Sequence, residues 1–452
     1  MSSLHDFATW EPLLRLMRAR GAGGPGGRTA GRIGRGSWSV PGRDRGRASL
    51  ADDWMDETAA VKRVREALAE DGTEDVAFAA EFAPDGRARL HLLGGSSVEP
   101  GIGGPFPEAL LLVEGAVAEP WRRLPEPVPG AVPAPTADPA LLERTLRERL
   151  PDAVGATEQE IAAAEARLGI TLPEELRTLY RVVRAHWEDW DDDYDNAMHV
   201  FTQVGCELLD LDRLYAAEPA TRPCSWRHAA TRAAEPTPDD AVQDLVGSAG
   251  WIVFGDTGGG DAIAVDLTPG PRGHVGQIIV IGHEGSIGAA LVADSLTDLV
   301  LDRTPERRVG RPWDRPAVAH VNHASLPDVE AAAHPALEVL CLGVHKGEPL
   351  SLEPVMELPR LRTLTAYPGT LADPLEIARL TGLEFLELCP SDWRTLLDAE
   401  AVPPTLKAAA VETRSHRDHL LEIADLTDEI LALWNRPPLT RTVVEGDLGP
   451  RE

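Results

Sequence analysis

ATEQEIAAAEARLGITLPEEL, residues 156–176, decides the reading of the middle of this 452-residue chain. Thr157 stands as a helix cap with Gln159 and Glu160 behind it, and Ile161, Glu165 and Leu168 follow at helical spacing before Gly169 ends the element. Leu172-Pro173-Glu174-Glu175 then opens a second helix, with proline at its start and acids where the helix dipole favours them. Further along, WIVFGDTGGGDAIAVDL at 251–267 runs from an apolar segment through a glycine turn into alternating Ile263, Val265 and Leu267, a hairpin pattern.

The order and wording of these pieces resemble the SUKH superfamily, the bacterial relatives of the yeast cell-wall-assembly regulator of the Smi/Knr type. The resemblance spans roughly 150–302. It takes in GCELLDLDRLYAA at 205–217, similar to the family's middle strand and short helix, and GQIIVIGHEGSIGAALVADSLTDLVL at 276–301, similar to its closing strand and helix. One departure falls after the second helix. Where family members often carry a short Asn-Gly-Gly-like turn, this chain has RAHWEDWDDDYDN at 184–196. The resemblance implies an α+β SUKH-like domain, and a loop of this composition bears on partner choice more than on fold.

A chain of this length predicts two to four domains. Cys206, Cys224, Cys341 and Cys389 have no paired short spacing, so they read as free, mostly buried thiols in a reducing cytoplasm. No apolar run approaches the length of a membrane span, and the amino terminus lacks a signal-peptide core, so the expectation is a cytoplasmic protein without membrane contact. The net charge of −29 argues against nucleic-acid binding by the folded body, because phosphate contact needs clustered Lys and Arg. Residues 1–54 reverse the sign: nine Arg stand against five acids, a net of +4, leaving −33 on the remainder.

The flanks divide by composition. Within 1–54, RGAGGPGGRTAGRIGRGSWSVPGRDRGR at 20–47 offers almost nothing apolar to bury, so this stretch is expected to be a disordered Gly/Arg-rich extension, with ordered protein starting near Met55. Residues 55–124 read as a small α+β unit: a helix over MDETAAVKRVREALAEDG, VAFAAEF and RARLHLL joined through Pro84-Asp85-Gly86, and a third strand in EALLLVEGAV. The proline-dense 125–139 is a semi-extended linker, 140–302 the SUKH-like domain and 303–316 a second linker.

Over 317–436 a repeat appears. LEVLCL, LRTLTA, LEFLEL and LKAAAV start at Leu337, Leu361, Leu383 and Leu406, in steps of 24, 22 and 23 residues. Apolar residues recur at i, i+3 and i+5, and the segments PVMELPRL and PLEIARLTGL suit the return path. The pattern resembles a short leucine-rich-repeat solenoid with degenerate copies, since His345 and Pro390 stand where asparagine usually follows the strand. A helix over 415–434 would close the open end, Glu338 and Glu384 read as exposed, and 437–452 is a tail.

The chemical motifs are weak. Gly258-Gly259-Gly260 has no following Lys-Ser/Thr and reads as a tight turn. Asp191, Asp193 and Asp195 start like a calcium loop, but Asn196 and Thr202 occupy its glycine and glutamate positions. His416 and His419 lack further ligands, and Cys206, Cys224 and His228 are too loosely spaced for a metal. No nucleophile, base and oxyanion donor form a unit, so no enzyme, metal or cofactor is expected. The distinctive feature is Trp187 and Trp190 among Glu188, Asp189, Asp191, Asp192, Asp193 and Asp195. The expected partner-binding set is Trp187, Trp190, Asp191, Asp192 and Asp193, with Trp187 tied to the core, Trp190 as interface anchor and the acids steering a basic partner. The resemblance implies an immunity protein that neutralises a toxin by binding it, and the strong acidity fits a basic toxin domain as partner; the competing reading is a regulatory scaffold like the fungal cell-wall regulator.

Overall fold

The computed structural model describes residues 3–20, 27–40, 50–94, 98–100, 109–113, 115–190, 193–222, 226–234, 239–285, 287–303, 317–412 and 420–450. The glycine tract at 21–26, Asp191, Asp192, Cys224, most of the expected linker 303–316, and His416 and His419 fall outside these residues. The chain forms two compact units, one from Met1–Ala116 with Ala319–Glu452 and one from Val117–Val318.

The first unit begins with α1 (Phe7–Ala19), capped by Asp6, whose carboxylate accepts from Ala8 N. Trp10, Leu13, Leu14 and Met17 line one face at helical spacing and are fully buried. Then come β1 (Arg28–Gly34), β2 (Trp38–Ser39), α2 (Leu50–Glu70), β3 (Asp75–Phe82) and β4 (Arg87–Gly94). Strands β3 and β4 are joined by the expected Pro84-Asp85-Gly86 turn, in which Gly86 has φ +98 and no room for a Cβ beside the Gly449 carbonyl. The expectation that 1–54 is a disordered extension is corrected for its described residues. Helix α1 packs Trp10 against Phe78 at 5.2 Å between rings, and β1 pairs with β3 along seven residues. The physical reason is twofold: the apolar residues of α1 precede the Gly/Arg tract, and backbone pairing of β1 needs little from its side chains. Arg28, Arg32 and Arg35 form ion pairs with Glu81, Asp75 and Glu74, so part of the local positive charge is matched by β3 and the residue before it.

Strands β5 (Val98–Pro100) and β6 (Ala109–Leu112) pair with each other, but not with β4. The expected third strand of a small 55–124 unit therefore belongs elsewhere, in the sheet built by the carboxy-terminal segment.

The second unit holds α3 (Glu119–Arg122), α4 (Pro139–Arg149), α5 (Glu158–Leu168), α6 (Glu174–Val182), α7 (Tyr194–Val204), β7 (Glu207–Leu208), β8 (Tyr215–Ala216), α8 (Trp226–Ala230), β9 (Trp251–Asp256), β10 (Ala262–Asp266), β11 (Gln277–Ile281), β12 (Ala290–Ala293) and α9 (Leu296–Val300). Thr157 and Glu160 form a complete capping box on α5, and Gly169 ends it at φ 69. The sheet is antiparallel in the order β12-β11-β10-β9-β7, with β8 also along β9. One face packs Ile252, Phe254, Ile263, Val265 and Ile278 against Leu146, Ile161, Leu176, Leu179 and Tyr180 of the helices. The other packs Trp251, Val253, Ala264 and Ile279 with Leu245. The stretch 125–139 is not a free linker but is strapped to this unit: Glu126 N bonds to Gln243 Oε1 at 2.8 Å, Val275 N to Val132 O at 3.1 Å, and Asp138 N to Thr297 Oγ1 at 3.2 Å. Prolines removed donors from the strap, and the amides of Glu126, Ala131, Ala137 and Asp138 have acceptors.

The first unit resumes with β13 (Val318–Val321), β14 (Val339–Leu342), β15 (Thr363–Ala366), β16 (Phe385–Leu388), α10 (Pro390–Asp398), β17 (Ala408–Val411), α11 (Leu420–Leu433) and β18 (Thr440–Asp447). Strands β14 to β17 are parallel, with Leu340, Leu364, Leu386 and Ala409 aligned across them. The apolar residues at i, i+3 and i+5 of each copy enter one core, together with Val355, Ile377 and Trp393 from the return segments. Antiparallel β6 and then β5 extend the sheet beyond β17. Helix α11 sends Ile423, Leu426 and Ile430 into this core and presents Leu420 and Ala424 to Ala79 and Leu93 of the amino-terminal sheet. The expected 437–452 tail is instead largely a strand: β18 pairs with β4 over eight residues, completing the order β18-β4-β3-β1-β2. Glu338 is also not exposed. It is 3% accessible and bonds to Arg362 at 3.1 Å and Arg360 at 2.5 Å, while Glu384 pairs with Lys407 at 2.6 Å. The positions just before successive strands therefore read Glu338, Arg362, Glu384 and Lys407, an alternation of charge that aligned parallel strands bring together.

Candidate functional site

The loop after α6 is built on a close backbone crossing. Ala156 N bonds to Tyr180 O at 2.7 Å and Arg184 N to Val154 O at 2.8 Å. Between these bonds lies Gly155, where a Cβ would stand 1.9 Å from the Arg181 carbonyl oxygen, so only glycine fits. The chain then turns through Ala185 at φ 62, a left-handed conformation that costs a residue with a Cβ of order 1 kcal/mol. What holds this turn is Arg184, whose Nε and Nη2 reach the two oxygens of Asp189 at 2.7 and 2.6 Å. That bidentate grip holds the Asp189 carboxyl below the usual carboxylate range.

Trp187–Trp190 forms one turn of 3-10 helix, and the two indoles meet edge to face at 5.7 Å and 82°. Their burial is the reverse of the expectation. Trp190 is half-buried and packs on the core, whereas Trp187 is 45% exposed. The sequence spacing places both on a short turn without saying which ring faces inward; the Arg184–Asp189 brace and the register of the turn decide it. Asp193 caps α7, its carboxylate accepting Asp195 N at 2.9 Å, and Asn196 Nδ2 donates to Trp190 O at 3.2 Å. Tyr194 is 66% exposed. Asp191 and Asp192 lie outside the described residues.

Beside the loop opens a cleft of about 390 Å³, between residues 150–154, the end of α6 and one face of α7. Leu150, Val183, Ala185 and Val200 form a buried apolar floor, Trp190 supplies an aromatic wall, and Asp152, Asp189, Asn196 and His199 contribute polar groups.

The other motifs resolve structurally. Asp256 Oδ1 accepts Gly258 N at 2.6 Å and Gly260 N at 3.1 Å, so the amides that a phosphate cradle would offer are already bonded within the turn. Cys206 is buried and its thiol is pushed up to about 12 by desolvation, remote from a reactive thiolate. Among the described residues, no group of three or more His, Cys, Asp or Glu side chains is placed to hold a metal, and no helix is long and apolar enough to cross a membrane.

Two buried carboxylates escaped the sequence reading. Glu175, which reads as an ordinary first-turn acid of α6, accepts Leu296 N and Thr297 N at 3.2 and 3.0 Å and so caps the distant α9. Asp266 is fully buried, bonded to Thr268 N and Gln277 Nε2 at 2.8 Å each, and burial pushes its carboxyl up to about 6. Both serve the frame behind the loop. The partners of Glu175 lie more than a hundred residues away, and Asp266 is buried by neighbouring strands, so no local pattern marks either.

Residues 155–302 match the SMI1 / KNR4 family (SUKH-1), so the middle of this chain carries a SUKH-1 domain. Similar proteins include a glucan synthesis regulatory protein of Neurospora crassa, 24% identical over 156 residues that cover 29% of each chain. A cell wall biosynthesis/cell cycle regulator, smi1, of Schizosaccharomyces pombe is 28% identical over 146 residues, covering 29% of this chain and 27% of that protein. A KNR4/SMI1 homolog of Debaryomyces hansenii is 47% identical over 47 residues, 10% of this chain and 8% of its own. The chain thus spans under a third of the length of these relatives.

Proposed function

We propose that this chain is a non-enzymatic protein-binding module of the reducing cytoplasm, whose SUKH-1 domain engages a basic protein partner through the 186–196 loop. The supporting observation is the exposed Trp187 ring, in T-shaped contact with core-packed Trp190 on the turn closed by the Arg184–Asp189 brace. A rigid aromatic contact costs little entropy on binding, and the surrounding acids accelerate encounter with a basic surface. The first reading is an immunity protein that neutralises a toxin by direct binding, with nucleic acid excluded from the acidic body by repulsion. The second is a regulatory scaffold, favoured by the similarity to the fungal glucan synthesis regulatory protein and cell wall biosynthesis/cell cycle regulator. In either case the parallel sheet of β14 to β17 is read as a degenerate leucine-rich-repeat-like element offering a second contact surface.

The test is a pull-down from native lysate, followed by association and dissociation rates of the recovered protein at two salt concentrations. Asp191, Asp192 and Asp193 changed together to Asn should slow association and flatten its salt dependence, since Asn keeps the cap at position 193. Trp187→Ala should speed dissociation, with a loss on the order of 2 kcal/mol. A basic effector as the recovered protein supports neutralisation, and a set of several regulatory proteins supports the scaffold. Unchanged rates in both variants would move the binding surface off this loop.

A further inference from the structure

On the protein-binding reading of this loop, we propose that the cleft beside Trp190 is the anchor pocket for the partner, and that its occupant is an extended basic segment inserting one apolar side chain between flanking lysines or arginines. The cleft's floor is apolar and already formed: Leu150, Val183, Ala185 and Val200 are buried in the fold, and Trp190 packs on the core and meets Trp187 in a T-shaped contact. A volume of about 390 Å³ exceeds what one side chain fills, leaving room for the backbone that carries it. The floor offers apolar contact, so it selects a leucine-like or aromatic anchor in place of a charge.

The rim sets the sign of the flanks. Asp152 lines the cleft and is exposed, and Glu188 and Asp193, also exposed, bracket the Asp189–Trp190 wall in sequence. Asp189 itself is neutralised by Arg184, and Arg184 is consumed in the same bond, so this pair adds no net charge. Among the described residues lining the cleft, His199 is the one other basic side chain. Such a rim favours Lys or Arg on either side of the anchor, and the exposed Trp187 face accepts one of those cations. An acidic or uncharged segment would fill the same floor without this gain.

The experiment uses the full chain and short fluorescein-labelled peptides, read by anisotropy: lysines and arginines around a central leucine, the same peptide with lysine at the centre, and a glutamate-flanked leucine peptide. The basic leucine peptide should bind about tenfold tighter than either control. Val154, 44% exposed at the cleft, provides a blocking variant: Val154→Trp should fill the space, cost the leucine peptide about tenfold and leave the melting temperature unchanged. Asp152→Lys, at an exposed position, should weaken both basic peptides. Binding that survives Val154→Trp overturns the cleft as the pocket, while Trp187→Ala sensitivity in that case keeps the loop as the binding surface. Equal binding of the leucine-centred and lysine-centred basic peptides overturns the anchor, and tighter binding of the glutamate-flanked peptide overturns the basic occupant. Concentration-dependent self-association abolished by Val154→Trp would assign the cleft to a second copy of this chain and overturn the peptide occupant as well.

Discussion

Both oxygens of the Asp189 carboxylate are held by the guanidinium of Arg184, across a turn in which Ala185 is forced to φ 62. The bond is therefore what makes the strained turn persist. Asp189→Ala should cost about 2 kcal/mol in urea unfolding and lower affinity for any partner of the loop. The Arg184 guanidinium depresses the Asp189 carboxyl, so the pair's contribution is present above the unfolded carboxylate's titration and lost as pH falls through the folded one. The variant should accordingly show a shallower acid limb than wild type, and an unchanged limb would remove the pair from the stability of the turn.

Glu175 lies buried between α6 and the first amides of α9, accepting from Leu296 and Thr297. Glu175→Ala leaves those donors without a partner in a dry site and should cost about 3 kcal/mol. Glu175→Gln should lie between wild type and Ala, because its amide nitrogen turns a donor toward donors. Amide hydrogen exchange at Leu296 and Thr297 is the local readout, expected to accelerate in both variants.

Deleting residues 1–54 should unfold much of the first unit, since it removes the buried faces of α1 and the β1 partner of β3. A loss of well over 5 °C in melting temperature follows if even about 2 kcal/mol of that packing is withdrawn. Retention of the full melting temperature would return this stretch to a dispensable extension.

In the parallel sheet, Leu340→Ala, Leu364→Ala and Leu386→Ala should each cost about 2 to 5 kcal/mol through the cavities they leave. Glu338→Ala belongs in the same range, about 3 kcal/mol, because it removes a buried carboxylate acceptor from the buried Arg362 guanidinium. Glu384, with its partner Lys407 more exposed, should cost under about 1 kcal/mol. Equal costs at Glu338 and Glu384 would contradict the burial gradient between the two pairs.

Asp266 gives a pH signature of opposite sign to Asp189. Its folded carboxyl titrates at about 6, raised chiefly by burial, so between the unfolded value of 3.8 and 6 the native state binds the extra proton. Its contribution is fully present below the unfolded value and is lost as pH rises through 6. Asp266→Asn should remove that slope from the stability curve while destabilising the protein at every pH, because the amide sets a donor against Gln277 Nε2. A wild-type curve of the same shape as the variant's between those values would show that the carboxyl titrates normally.

Much of the local architecture was legible along the chain. The capping box of Thr157 and Glu160, the Gly169 stop, the β3–β4 hairpin and the spacing of Leu340, Leu364 and Leu386 each depend on residues a few positions apart or on a regular step. Side-chain periodicity and turn chemistry act at that range, and the sequence determined them. Only the tertiary structure decided what pairs with what. Strand β18 joins β4, β6 joins β17, Glu175 caps α9, and α11 buries side chains against two sheets. A strand's hydrogen-bonding edge carries no sequence label of its own, and a short apolar run suits either sheet. The same reason hid the orientation of the site: Trp187 and Trp190 are three residues apart on one turn, and the choice of which ring packs inward was made by Arg184 closing on Asp189 over the Gly155 crossing, contacts that burial and backbone approach create and that no spacing encodes.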